Sequence, residues 1–150
     1  MNIIVCVDDN NGMMFNKRRV SQDVEVREDI YKNLNGKTLF MNSYSFKMFE
    51  KDNKNASIKV EENLPIDDKS NFQFIENVKL SKFEEKIDSI IVYYWNRKYP
   101  SDFKFDIDLS NWKLVSETEF AGKSHEKITK KVFTKTEKEK GILGWLKDRL

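Results

Sequence analysis

The sequence predicts an α/β domain with a mostly parallel central sheet, flanking helices and an antiparallel hairpin towards its C-terminal side. Three observations carry that expectation. Ile3-Ile4-Val5-Cys6-Val7 and Ile90-Ile91-Val92-Tyr93-Tyr94 are apolar at every position, as strands buried on both faces of a parallel sheet are. Between them, Val26, Ile30 and Leu34 recur at every fourth position, which marks a helix with one apolar stripe. After residue 111 two strand-like runs, 112–120 and 128–133, flank the polar segment Gly122-Lys123-Ser124-His125. That arrangement reads as a hairpin with a long tip.

The remaining elements follow in chain order. Asp8-Asp9-Asn10-Asn11-Gly12 is a turn cluster behind the first strand. Met13-Met14-Phe15 and the basic run Lys17-Arg18-Arg19 come next. Ser21 reads as an N-cap, which puts Asp23 and Glu25 in the first helical turn, where the helix dipole favours acids. Gly36 stands where helices commonly stop. Residues 38–41 form a second short buried strand, and Asn42 or Ser43 can cap a short helix carrying Tyr44, Phe46 and Phe49. Residues 51–55 are a polar loop, 56–60 an edge strand, 64–71 a loop around Pro65, 72–78 a strand and 80–87 a short amphipathic segment. Residues 1–135 therefore make one α/β domain. Residues 136–150 read as a charged linker and a short amphipathic helix, with Ile142, Leu143, Leu146 and Leu150 on one face and Trp145 at its margin.

Composition bounds the function classes. A chain of 150 residues is the usual size of one domain, and 39% hydrophobic residues, including 11 Phe, supply a core. Lys and Arg (27) nearly balance Asp and Glu (25), leaving a net charge of +2, too small to imply nucleic acid as a partner. The lone cysteine, Cys6, fits a reducing compartment and a cytoplasmic location, and its apolar surroundings in sequence read as core. No apolar run approaches the ~20 residues of a membrane span, and the N-terminus lacks the charged region of a signal peptide.

The order of elements resembles dihydrofolate reductase, with residues supporting the likeness in three places. Gly12-Met13 matches the family's Gly-Met loop, and Ser21-Gln22-Asp23 stands at the start of its first helix. Phe40-Met41-Asn42-Ser43-Tyr44-Ser45 stands at the strand-to-helix passage where the family has Met-Gly-Arg-x-Thr. Asp102-Phe103-Lys104-Phe105 and Trp112 match the segment that leads into the family's final hairpin. Departures accompany the likeness. The family's Gly-Gly pair near the cofactor is replaced by Phe74-Ile75-Glu76-Asn77-Val78, and its phosphate-holding Gly-Arg by Asn42-Ser43. NADPH is therefore not expected to bind in the family's mode. The chain also resembles small bacterial proteins labelled ribonuclease Z. That activity needs a cluster of His and Asp metal ligands, which one histidine cannot supply, so no metal is expected.

Several residues are candidates for a site. The resemblance implies that Asp23 could hydrogen-bond a pterin-like ring or relay a proton; an acid there also serves its own helix N-terminus. Lys17, Arg18 and Arg19, with Ser21 beside them, suit an anion. Asn42, Tyr44 and Ser45 occupy the family's phosphate-holding corner. Trp95, Asn96 and Arg97 end a central strand, where open α/β sheets bind ligands. His125 reads as a surface-loop histidine, and Ser124, His125 and Glu126, adjacent in sequence, do not make a triad. The expected function is a divergent domain of this fold that binds a small molecule or a protein without reductase activity. One alternative is an NAD(P)H-dependent reductase of a pterin-like or nucleotide substrate with an altered cofactor site. Another is an interaction protein that docks, or forms a homodimer, through residues 142–150.

Overall fold

The computed structural model describes residues 1–136; the helix expected at 142–150 lies outside them. In chain order the elements are β1 (Asn2–Val7), β2 (Gly12–Phe15), β3 (Arg18–Arg19), α1 (Val24–Lys32), β4 (Leu39–Met41), α2 (Ser43–Glu50), β5 (Ile58–Val60), β6 (Phe72–Phe74), β7 (Ser89–Tyr94), β8 (Phe103–Lys104), β9 (Trp112–Phe120) and β10 (Ile128–Lys135). A seven-stranded sheet runs β5-β4-β6-β1-β7-β10-β9. β1 lies between β6 and β7 and is parallel to both. β10 is antiparallel to β7 and to β9, which forms the edge. The expected mostly parallel sheet with a C-terminal antiparallel hairpin is the one observed.

The uniformly apolar strands have a simple cause. Side chains alternate across a sheet, so Ile3, Val5 and Val7 join one core with Ile90, Val92 and Phe105. Ile4 points into the other, with Tyr93, Val26 and Ile30 of α1, and Phe49 of α2. Both faces are buried, so neither can be polar. Cys6 is half-buried and packs against this second core.

Some boundaries differ from expectation. The N-cap of α1 is Asp23, whose side chain accepts from Glu25 N, not Ser21. Asp23 is extended there (φ −154°) and its carboxylate is the shorter route to the exposed helix N–H groups. Gly36 (φ +79°) and Asn35 (φ +50°) form a left-handed turn beyond the C-cap Asn33. β6 ends at Phe74 because residues 76–78 bend away. A second, three-stranded sheet, β3-β2-β8, was not expected. Its β2–β3 turn is Asn16-Lys17, both at positive φ (49° and 64°), the geometry that matches strand twist in a two-residue hairpin.

Asp8 ties the ends of the central strands together. Its Oδ1 accepts from the backbone N–H of Asn10 (2.8 Å) and Gly12 (2.7 Å). Its Oδ2 accepts from Tyr99 N–H at 2.9 Å, so the loop behind β7 is fixed to the loop behind β1. Among the described residues no helix is long and apolar enough to cross a membrane.

Candidate functional site

The tip of the β9–β10 hairpin folds back onto the start of α1, and Asp23 is the reason. Its Oδ1 accepts from Glu25 N–H and Lys123 N–H, each at 2.9 Å. Its Oδ2 accepts from Ser124 N–H at 2.9 Å and from the His125 ring at 2.8 Å. Burial pushes the carboxyl up, but the Lys123 amide, the His125 ring and the Glu25 and Ser124 amides outweigh it and hold it well below the usual carboxylate range. The tip comes this close only because residue 122 is glycine. A Cβ there would lie 2.5 Å from Asp23 Oδ2 and 2.8 Å from the His125 carbonyl oxygen. Gly122→Ala should therefore push the tip off Asp23 and lower unfolding free energy by about 1–3 kcal/mol, the range for overpacking, as read by urea titration.

His125 is thus not a surface histidine: it is only 4% exposed. Its ring stacks on Trp95, with centroids 4.7 Å apart and planes at 24°. With Nδ1 beside the Asp23 carboxylate, the proton belongs on Nδ1 and the lone pair on Nε2. That Nε2 lies 2.8 Å from Ser21 Oγ and 3.2 Å from the Tyr99 hydroxyl. Tyr99 in turn donates to Ser21 Oγ at 3.3 Å. Ser21 and Tyr99 are half-buried, so this end of the network reaches the surface. Three of these residues come from separate segments, the start of α1, the loop after β7 and the hairpin tip, so sequence adjacency could not reveal them.

A second network lies across the cleft between α1 and the sheet. Arg19 donates from Nε and an Nη to the two oxygens of Glu76, at 2.8 and 3.0 Å. Ser45 Oγ donates to Glu76 at 2.7 Å. The guanidinium sits over the Tyr44 ring, 4.6 Å from its centroid, and Tyr44 OH accepts from Arg19 N–H at 2.9 Å. At the start of α2, Asn42 caps the helix through Ser45 N–H, and Glu62 accepts from Ser43 N–H at 2.8 Å. Bonding to Ser43 holds the Glu62 carboxyl below its ordinary range. The interior of the cleft, lined by Cys6, Asp23, Met48, Phe74 and Glu76 among others, offers about 10 Å³ to the centre of a water-sized sphere, room for about one water. Burial, then the Glu76 charge, pushes the Cys6 thiol up.

Lys17 is exposed on the β2–β3 turn, and Arg18 is exposed at the start of β3. Arg18 borders a surface groove with Phe15, Val20, Tyr99 and Pro100. Asn96 donates to the Lys127 carbonyl (3.1 Å) and to Thr129 Oγ1 (2.9 Å), holding the base of the hairpin. Arg97 is exposed, and its carbonyl accepts from Asp9 N–H at 2.9 Å. The structure therefore unites Ser21, Asp23 and Trp95 around His125, and Arg19, Tyr44 and Ser45 around Glu76. His125, Tyr99 and Glu76 are the members that sequence reasoning missed.

These residues do not fit a nicotinamide dinucleotide in the mode that dihydrofolate reductases use. Where close backbone approach needs glycine, Glu76 carries a carboxylate held by Arg19 and Ser45. The α2 N-terminus, which would attract a phosphate, already meets Glu62.

No family model matches the sequence, and no curated protein matches it. Among solved structures, the chain is similar to dihydrofolate reductase from Enterococcus faecalis, determined in complex with NADP(H) and RAB-propyl. The TM-score is 0.63 over 91% of this chain and 97% of that one, at 9% sequence identity. Nothing in these comparisons supports a likeness to ribonuclease Z, and among the described residues no group of three or more His, Cys, Asp or Glu could hold a metal ion. The chain has a dihydrofolate-reductase-like fold.

Proposed function

We propose that this chain is a cytoplasmic binding domain for a small anionic or heterocyclic molecule, and that it does not perform NADPH-dependent reduction. The observation that carries the reading is that protein carboxylates stand at the two corners the sequence resemblance gives to the cofactor: Glu76, bound to Arg19, replaces the glycine pair, and Glu62 accepts from Ser43 N–H at the α2 N-terminus. The groove bordered by Phe15, Arg18, Tyr99 and Pro100 supports the ligand class, because it pairs aromatic and apolar surface with the exposed guanidinium side chain of Arg18.

Thermal unfolding tests this directly. Millimolar NADPH should leave the melting temperature unchanged, and NADPH absorbance should stay constant when dihydrofolate is added. A rise of several degrees, or turnover, would favour an altered-cofactor reductase instead. Among pterins and nucleotides, at least one anionic compound should stabilise the protein, by about 2.7 kcal/mol at a hundred times its Kd. Arg18→Ala should weaken that effect. A panel without any stabilising compound would count against a small-molecule ligand and leave a protein partner as the reading to pursue.

A further inference from the structure

We propose that Ser21 is a nucleophile for acyl transfer, activated by His125 and oriented through Asp23, and that it acts on small carboxylic esters carrying a negative charge. The connectivity is that of a serine–histidine–aspartate relay. Ser21 Oγ lies 2.8 Å from His125 Nε2, and His125 Nδ1 lies 2.8 Å from Asp23 Oδ2. Such relays are recognised by geometry and roles, and they recur on unrelated folds in different chain orders.

Each member has the environment its role needs. Asp23 is buried and held by backbone amides on both oxygens, so it fixes the imidazole tautomer without taking the proton. Trp95 stacks on one face of the ring. Ser21 borders the cleft on one side, and its neighbours Val20 and Tyr99 border the groove that holds Arg18. A clasp that merely held the hairpin tip would need Asp23 and the tip amides; it would not need a half-exposed serine hydroxyl on the far ring nitrogen.

In the reaction, Ser21 Oγ bonds to the ester carbonyl carbon as its proton passes to His125 Nε2. Collapse of the tetrahedral adduct breaks the carbon–oxygen bond to the alcohol, which leaves with the proton from Nε2. Water repeats the sequence on the acyl-serine and releases the acid. Negative charge on the carbonyl oxygen can be met by the Tyr99 hydroxyl, 3.3 Å from Ser21 Oγ. Arg18 at the edge of the groove favours an anionic ester.

A fluorophosphonate reads the nucleophile directly, whether or not any compound shifts the melting temperature. Ser21 Oγ would bond to phosphorus as fluoride leaves. The intact mass should rise by one adduct, and peptide mapping should place it on Ser21. Ser21→Ala, checked for folding by circular dichroism, should lose the adduct. His125→Gln, likewise checked, should label about 100-fold more slowly, the low end of a general-base contribution. Should that variant not fold, the wild type and Ser21→Ala decide the matter through p-nitrophenyl acetate, which the wild type alone should hydrolyse. The wild type should also cleave the hemisuccinate ester several-fold faster than the acetate. Absence of an adduct, an adduct elsewhere, or equal labelling of heat-unfolded protein would overturn the proposal and leave the network as a clasp. Equal rates on the two esters would overturn the anionic substrate class.

Discussion

Asp23→Asn is expected to lower the free energy of unfolding by about 2–4 kcal/mol, because hydrogen bonds to a charged group contribute about 1.5–3 kcal/mol each and buried donors are left without an acceptor. The melting temperature should fall by on the order of 10 °C for a domain of this size. The substitution is nearly isosteric, so packing changes little. The damage comes from hydrogen-bond polarity. An amide can present one oxygen to Glu25 N–H and Lys123 N–H, but its NH2 then faces the donors of Ser124 and His125. Flipping the amide only moves the conflict to the other pair. The same carboxylate gives a pH test. Its folded-state pKa is depressed. Its contribution is therefore complete above the unfolded carboxyl's pKa of about 4 and is lost as pH falls from there towards the lower folded value. The stability gap between wild type and Asp23→Asn should narrow below about pH 4. A gap that stays constant down to pH 3 would mean that charge on Asp23 is not its source.

The fold was legible because burial on both faces leaves a strong trace. Ile3 to Val7 and Ile90 to Tyr94 could only be central, and they are paired in register from Asn2 with Ser89 to Val7 with Tyr94. The small sheet was not legible. β3 and β8 have two residues each, and their sequences, Arg18-Arg19 and Phe103-Lys104, carry no period to read. Asp23 stood out in sequence because it sits at a helix start, but its partners did not. Ser21 and His125 are separated by 104 residues, and their meeting depends on a hairpin tip whose only local signal is Gly122. The long tip reads as solvated loop because Lys123, Ser124 and His125 are polar. Their backbone amides and the imidazole are in fact what Asp23 collects. Glu76 was equally hidden. In sequence it marks the loss of a Gly-Gly pair, whereas in space it is the anion that pairs with Arg19.

Glu76→Ala should cost about 2–4 kcal/mol. Removing one partner from a buried ion pair typically costs more, but Arg19 keeps 19% side-chain exposure and so retains a route to water. Two consequences add. The guanidinium loses both of its acceptors on Glu76, and Ser45, fully buried, loses the acceptor for its hydroxyl. Stacking over Tyr44 remains and limits the loss. The double variant Arg19→Met/Glu76→Ala separates attraction from desolvation. If the unpaired guanidinium is the main cost of the single change, the second substitution should recover part of the stability, and the double-mutant cycle should give an interaction energy of about 1–3 kcal/mol. Additive losses would instead assign the effect to Ser45 and to packing. Opening the site in this way should still not admit NADPH. Glu62 would continue to occupy Ser43 N–H, and Asn42 and Ser43 offer no guanidinium for a phosphate. A melting-temperature rise with NADPH in Glu76→Ala, absent in the wild type, would show instead that Glu76 alone closes the dinucleotide site.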